Sequence, residues 1–344
     1  MPTHPSKSLI TRFGGIGDIV LLTPTLKALT ERDGIAPDLI TGAGWVYPTL
    51  KSCPYVSDIY LLDKRGLPRI INSSSRKLKK DLADKTYKAV YNLHQEPRTS
   101  RHFDFLDLTP LLEYHGNSIE HESSRRLREA GLAAESRYED LQPQIFTTQD
   151  DINKLLAKDP VYSSPFILVQ PGNKKTMVRG DSSRTSNAKF WSNQKWQQVI
   201  TALASEFPEA AILVIGSPSE SDYINEILGP IQSSQIRNYS NELDLIELKA
   251  ACTLAAGMVT VDTGPAHIAA ALGCPMIELF GPCNSITHSP LNLGQRIEMI
   301  SRFESPEHER RLSPAIGLIT PAEVIENFHS TFDFNRTPPT SRIS

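Results

Sequence analysis

The sequence predicts an α/β protein built from two doubly wound, Rossmann-like domains facing across a cleft. Three observations predict it. Short apolar runs alternate with longer stretches of helical period, a Gly-rich turn joins the first run to the first helix, and the alternation lapses once into polar, proline-bearing text before restarting.

The first strand is expected at Ser8–Phe13, ending at Gly14-Gly15. A helix from Asp18 to Thr30 follows on the spacing of Ile19, Leu22, Leu26 and Leu29. Strands are next expected at 38–41, 59–62 and 89–93, the last after the basic helical segment 76–85. Between Leu132 and Pro165 the pattern weakens through Gln142-Pro143, Asp159-Pro160 and Ser163-Ser164-Pro165. The expected domains are therefore 1–160 and 161–332. In the second, strands at 166–169, 211–215, 258–261 and 276–280 are separated by helices at 193–206, 220–228, 243–255 and 265–272. A last helix spans 321–332, and the Thr/Pro/Ser-rich stretch 333–344 is expected to be disordered. Strands separated by helices imply parallel sheets covered on both faces, with ligands at the C-terminal strand edges.

The 344 residues carry 36 Lys+Arg against 39 Asp+Glu, a net charge of -3, and 39% are apolar. That balance argues against sequence-independent nucleic-acid binding, which needs a net basic face. No apolar signal region opens the chain and no apolar window approaches a membrane span. A cytoplasmic protein is expected, with at most peripheral contact at the inner face of the inner membrane. Four cysteines, Cys53, Cys252, Cys274 and Cys283, show neither a CxxC pair nor Cys/His ligand spacing, so buried thiols and no metal site are expected.

Phe13-Gly14-Gly15-Ile16-Gly17-Asp18 invites a dinucleotide reading, but the third glycine of GxGxxG is replaced by Val20, which argues against NAD. The turn instead brings the backbone at Gly15 and Gly17 close to a ligand. It also sets the Asp18 carboxylate at a helix N-terminus, where an aspartate alternatively serves as a simple cap. In Thr260–His267, a strand runs into a turn and a helix opening with Pro265, so Thr263, Gly264 and the helix start make an anion site. Asp262 beside an anion needs hydroxyls or a cation, which points to a ligand carrying phosphate and sugar together. The long polar loop from Gln170 to Trp191 carries Arg184 and Lys189, the cations expected to reach a diphosphate. His94, Arg98 and Arg101 follow the strand ending at Leu93 and suit an acidic acceptor.

These features in this order resemble glycosyltransferase family 9, the ADP-heptose:lipopolysaccharide heptosyltransferases. The matching text is Gly17-Asp18-Ile19-Val20-Leu21-Leu22-Thr23-Pro24, then Pro171-Gly172 with Lys189-Phe190-Trp191 and Trp196, then Val261–His267 with Phe280-Gly281-Pro282. The resemblance implies a GT-B fold whose N-terminal half binds the acceptor and whose C-terminal half binds a nucleotide-sugar, with metal-independent, inverting transfer. It implies that Asp18 is the general base, that Lys189 contacts the diphosphate and that Asp262 contacts donor sugar or phosphate. Glu220 would then hold the ribose and Leu243 would lie against the base, with Arg184, Thr185, Thr263, Gly264 and His267 completing the donor side. Gly15, Gly17, His94, Arg98 and Arg101 make up the acceptor side. The expected activity is transfer of heptose from ADP-heptose to a hydroxyl of a cell-envelope saccharide or glycolipid such as lipopolysaccharide core. The alternatives are a GT-B enzyme acting on a protein hydroxyl or a soluble glycan, and a nucleotide-sugar-binding protein without catalysis. Inverting displacement supports the first physically: it needs a base on the acceptor face and positive potential on the leaving-group face.

Overall fold

The computed structural model describes residues 7–63, 65–68, 71–94, 99, 102–111, 120–132, 138–173, 187, 189–281, 285–292, 297–301 and 315–343. It divides into two compact units, Met1–Ile145 and Phe146–Ser344.

The first unit holds the parallel strands β1 (Leu9–Thr11), β2 (Asp38–Thr41), β3 (Ile59–Leu61) and β4 (Val90–Asn92), in the order β3-β2-β1-β4. Leu9, Phe13, Ile40, Leu62, Leu78 and Phe103 form its core. The single helix expected from Asp18 to Thr30 is two, Ile16–Val20 and Thr23–Asp33. Pro24 explains the break, because it has no amide to give the Val20 carbonyl; the Thr23 hydroxyl donates to that carbonyl instead, at 2.6 Å.

The second unit holds β5 (Phe166–Gln170), β6 (Ala211–Gly216), β7 (Ile236–Ser240), β8 (Gly257–Val261), β9 (Met276–Phe280) and β10 (Ile297–Ser301). Their order is β10-β9-β8-β5-β6-β7, all parallel. This is the doubly wound nucleotide-binding order, whose direction of winding reverses between β5 and β8. The central strands β5, β8 and β9 are buried throughout, and their sequences read as apolar runs. The edge strands β7 and β10 were not expected from the sequence. They are half exposed and carry Arg237, Asn238 and Glu298, so no apolar run announces them.

The boundary expected at 160 falls at 145/146. The stretch read as a linker contains the helix Gln149–Lys158, capped by Thr148, whose hydroxyl accepts from the Asp151 amide at 3.0 Å. Its buried Ile152 and Leu155 belong to the second unit, and the helix packs against Leu245–Leu254. The expected disorder of 333–344 is corrected over its described residues. The Arg336 guanidinium donates to the carbonyls of Cys252, Ala255 and Leu272 at 3.2, 3.1 and 2.8 Å, and Ile343 bridges to Thr147. A planar guanidinium satisfies helix-end carbonyls that composition alone does not reveal. Cys53, Cys252 and Cys274 are buried, and burial pushes Cys274 up to about 11. Cys283 lies outside the described residues. Among the described residues no helix is long and apolar enough to cross a membrane.

Candidate functional site

In the first unit, Asp18 lies in the helix that follows β1, the strand at which the sheet order reverses toward β4. The Gly15 amide donates to its Oδ2 at 2.7 Å, and the Arg12 guanidinium pairs with its Oδ1. Gly14 makes room for this carboxylate. Its φ of 150° disfavours a side chain, and a Cβ there would overlap the Asp18 carboxylate. Arg12 in turn donates to Glu122 at 2.8 Å, and Arg126 binds the same carboxylate from the next turn of the helix Glu122–Glu129. Burial alone would raise the Glu122 carboxyl, but the charges of Arg126, Arg12 and Arg125 hold it below the ordinary range. Asp18 is thus held by an amide and a guanidinium and still one-third exposed.

His94 is brought to the same edge. Its ring meets Phe13 edge-on at 5.2 Å, and its Nε2 lies 3.5 Å from Nη1 of Arg65, whose guanidinium covers the Phe13 ring at 4.3 Å. Gly17 lies in the helix Ile16–Val20 together with Asp18. Arg98 and Arg101 lie outside the described residues. The sequence reading missed Arg12, Glu122 and Arg65. An arginine one residue past β1 was a signal for the first, while the others come from distant parts of the chain.

In the second unit, the described residues expected to bind the donor, His267 apart, follow the C-terminal ends of strands. Lys189 ends the loop after β5, Glu220 and Leu243 follow β6 and β7, and Asp262, Thr263 and Gly264 follow β8. The Lys189 ammonium pairs with Asp262 Oδ2 and donates to the Asp262 carbonyl at 3.2 Å. Asn187 accepts from the Lys189 amide at 3.1 Å and donates to Asn173 at 3.1 Å, so two asparagines clip the loop's ends together. Trp191 and Trp196, fully buried with ring centroids 5.0 Å apart, anchor its exit. Asn187 was not expected.

The helix Gly264–Ala271 starts with Thr263 in extended conformation, Pro265 in its first turn, and no side chain capping it. Its first amides, lacking intrahelical acceptors, present partial positive charge. His267 is buried within that helix. Glu220 is buried too; its Oε2 accepts from the Ser217 amide and hydroxyl at 2.7 and 2.8 Å. Its Oε1 has no partner among the described residues, an orphan acceptor where a bound hydroxyl would satisfy it. Leu243 is half-buried ahead of the helix Leu245–Leu254. Arg184 and Thr185 lie outside the described residues. No group of three or more His, Cys, Asp or Glu among the described residues is placed to hold a metal ion.

The sequence model of glycosyltransferase family 9 (heptosyltransferase) matches residues 119–314, more than half of the chain. Lipopolysaccharide heptosyltransferase 3 of Escherichia coli is 32% identical over 142 residues, 38% of this chain and 41% of that protein. The chain spans about two fifths of the length of the curated relatives it matches. A family 9 glycosyl transferase from Veillonella parvula DSM 2008 superposes with a TM-score of 0.76 at 16% identity, covering 96% of this chain and 98% of that one. The E. coli ADP-heptose lps heptosyltransferase II superposes at 0.71 with 19% identity, covering 94% and 98%. These likenesses establish the fold as GT-B, two parallel α/β units each wound as described above. With the family's sequence pattern running through β5 to β9 and the residues at their ends, the chain belongs to glycosyltransferase family 9, the heptosyltransferase family.

Proposed function

We propose that the protein is an inverting, metal-independent glycosyltransferase that moves heptose from ADP-heptose to a hydroxyl of a cell-envelope saccharide such as lipopolysaccharide core. The observation that carries this reading is the Lys189–Asp262 pair beside the uncapped start of the helix Gly264–Ala271, where the second sheet reverses its winding. Amides and an ammonium suit a diphosphate, while the carboxylate suits sugar hydroxyls. The orphan Oε1 of Glu220 would accept from a ribose hydroxyl, and Leu243 would line the base. Arg184 and Thr185 would add to the phosphate side.

In the reaction, the acceptor oxygen forms a bond to the sugar's C1 as the bond from C1 to the diphosphate oxygen breaks. Asp18 takes the acceptor's proton, with Gly15, Gly17, His94, Arg98 and Arg101 holding the acceptor. The departing charge falls to Lys189 and the amides at Thr263 and Gly264, a contribution of a few kcal/mol per donor. One displacement from the opposite face inverts the anomeric centre. The positive potential that a metal ion would bring is supplied in this reading by the ammonium and the helix start.

Calorimetric titration with ADP, UDP, GDP and NAD tests the donor, with ADP expected to bind and NAD not. Tight UDP binding with none for ADP would overturn heptose as the transferred sugar. Turnover of ADP-heptose with an envelope-saccharide acceptor is expected to survive a metal chelator, and its loss would overturn metal independence.

A further inference from the structure

Glu278 is the middle residue of β9, in register with Thr260 of β8 and with Met299 of β10. It is fully buried, and neither of its carboxyl oxygens has a hydrogen-bond partner among the described residues. A buried polar group left unpaired is costly and rare. Its surroundings supply a reason. Asp262 lies two residues beyond Thr260, and its amide still donates to the Leu279 carbonyl at 3.3 Å, so the two strands stay aligned to that point. Side chains two apart on a strand share a face. Glu278 and Asp262 are therefore diagonal neighbours on adjoining strands, a separation of roughly 7–8 Å that a long side chain spans.

We propose that Glu278 is a positioning residue of the donor site, an uncharged carboxyl that becomes the hydrogen-bond partner of Asp262 when a diphosphate draws the Lys189 ammonium away. This rests on reading Lys189, Asp262 and the helix start as the diphosphate site. In the ligand-free protein Lys189 holds Asp262 through both carboxylate and carbonyl. A diphosphate competes for that ammonium and would leave Asp262 a bare carboxylate facing an anion. An uncharged carboxyl has one O–H to donate; an ionised one has none. A bond from an acid to a carboxylate is charge-assisted, hence strong.

The charges that act on Glu278 fit this role. Burial first, then the Asp262 carboxylate, push it well above the ordinary carboxyl range, while Lys189 pulls the other way. Among the described residues, titratable groups on the elements packed most closely against β9 are His267 on the helix Gly264–Ala271, Glu298 on β10 and His329 on the helix Phe328–Thr331. Glu298 is exposed and sits beside Ile277, on the opposite face, and His329 pairs with Glu206 at 3.2 Å on the surface.

The test is ADP affinity of the full chain, by calorimetry, for wild type, Glu278→Gln and Glu278→Met from neutral to alkaline pH. Gln keeps an uncharged donor, whereas Met keeps only the volume. Gln is expected to bind ADP within about threefold of wild type at neutral pH, and Met about tenfold more weakly. Because the carboxyl's raised range means its proton is lost only as pH rises, wild-type affinity should fall further toward alkaline pH than that of Glu278→Gln. Equal affinity for Met and Gln, or one pH profile shared by wild type and Gln, overturns the proposal. Should Met fail to fold, the comparison of wild type with Gln decides alone. A wild-type protein that does not bind ADP overturns the donor reading itself, an outcome distinct from ADP binding that ignores residue 278.

Discussion

At the scale of single residues, Asp18 is defined by three neighbours that each limit it: the Gly15 amide, the Arg12 guanidinium and the bare backbone of Gly14. An asparagine would keep the shape but could not take a proton. Asp18→Asn is therefore expected to lower kcat by about 10²- to 10⁴-fold with little change in donor KM, read by steady-state kinetics. Near-normal turnover would remove Asp18 from the base role. Gly14→Ala should do similar damage by displacing the carboxylate, although it deletes no functional group. On the donor side, Glu220→Gln preserves the turn but weakens the acceptor offered to a ribose hydroxyl. About tenfold weaker ADP binding is expected, measurable by calorimetry. The positions of Asp18 and Asp262 were legible because each sits in a local strand–turn–helix pattern, and that of Lys189 because a long polar loop precedes Trp191. Arg12's partner Glu122 was not, being 110 residues away with no motif of its own.

At the scale of elements, the places where pattern reading fell short share one cause. Apolar runs reveal strands buried on both faces, such as β5 and β8, whereas β7 and β10 show one edge to solvent and read as loops. Close packing between elements is equally silent in sequence. Gly257 begins β8 directly against the Phe332 ring, and a Cβ there would overlap it. Gly257→Ala is expected to cost about 1–3 kcal/mol, seen as a lower midpoint in denaturant, while ADP affinity is retained. Arg336 ties residues that follow the last helix to three carbonyls at the ends of two others. Arg336→Ala should destabilise by roughly 1–3 kcal/mol by leaving buried acceptors unpaired, and a stability unchanged in denaturant would refute its capping role.

At the scale of the whole molecule, the near-zero net charge hides buried ion clusters whose state depends on pH. The Glu122 carboxyl is held below its ordinary value of 4.5 by three arginines against the pull of burial. A depressed carboxyl contributes stability that is present above that ordinary value and is lost as pH falls through the lower, folded-state one. Thermal unfolding monitored from neutral to acidic pH should show a progressive loss below about pH 4.5, smaller in Glu122→Gln than in wild type. An identical acid profile in the two proteins would contradict this.

The sequence by itself determined the α/β class, the parallel winding and the two turns to which the chemistry is assigned by proposal, because those depend on periodicity and on glycine, proline and carboxylate within a few residues of one another. Only the tertiary structure decided where the chain divides, that residues 333–343 dock, that Arg12 and Glu122 frame Asp18, and that a buried Glu278 stands in register with Thr260, two residues before Asp262. Each of these is a contact between segments far apart in the chain, and such contacts are selected by the shape and charge of packed surfaces, which a linear pattern does not contain.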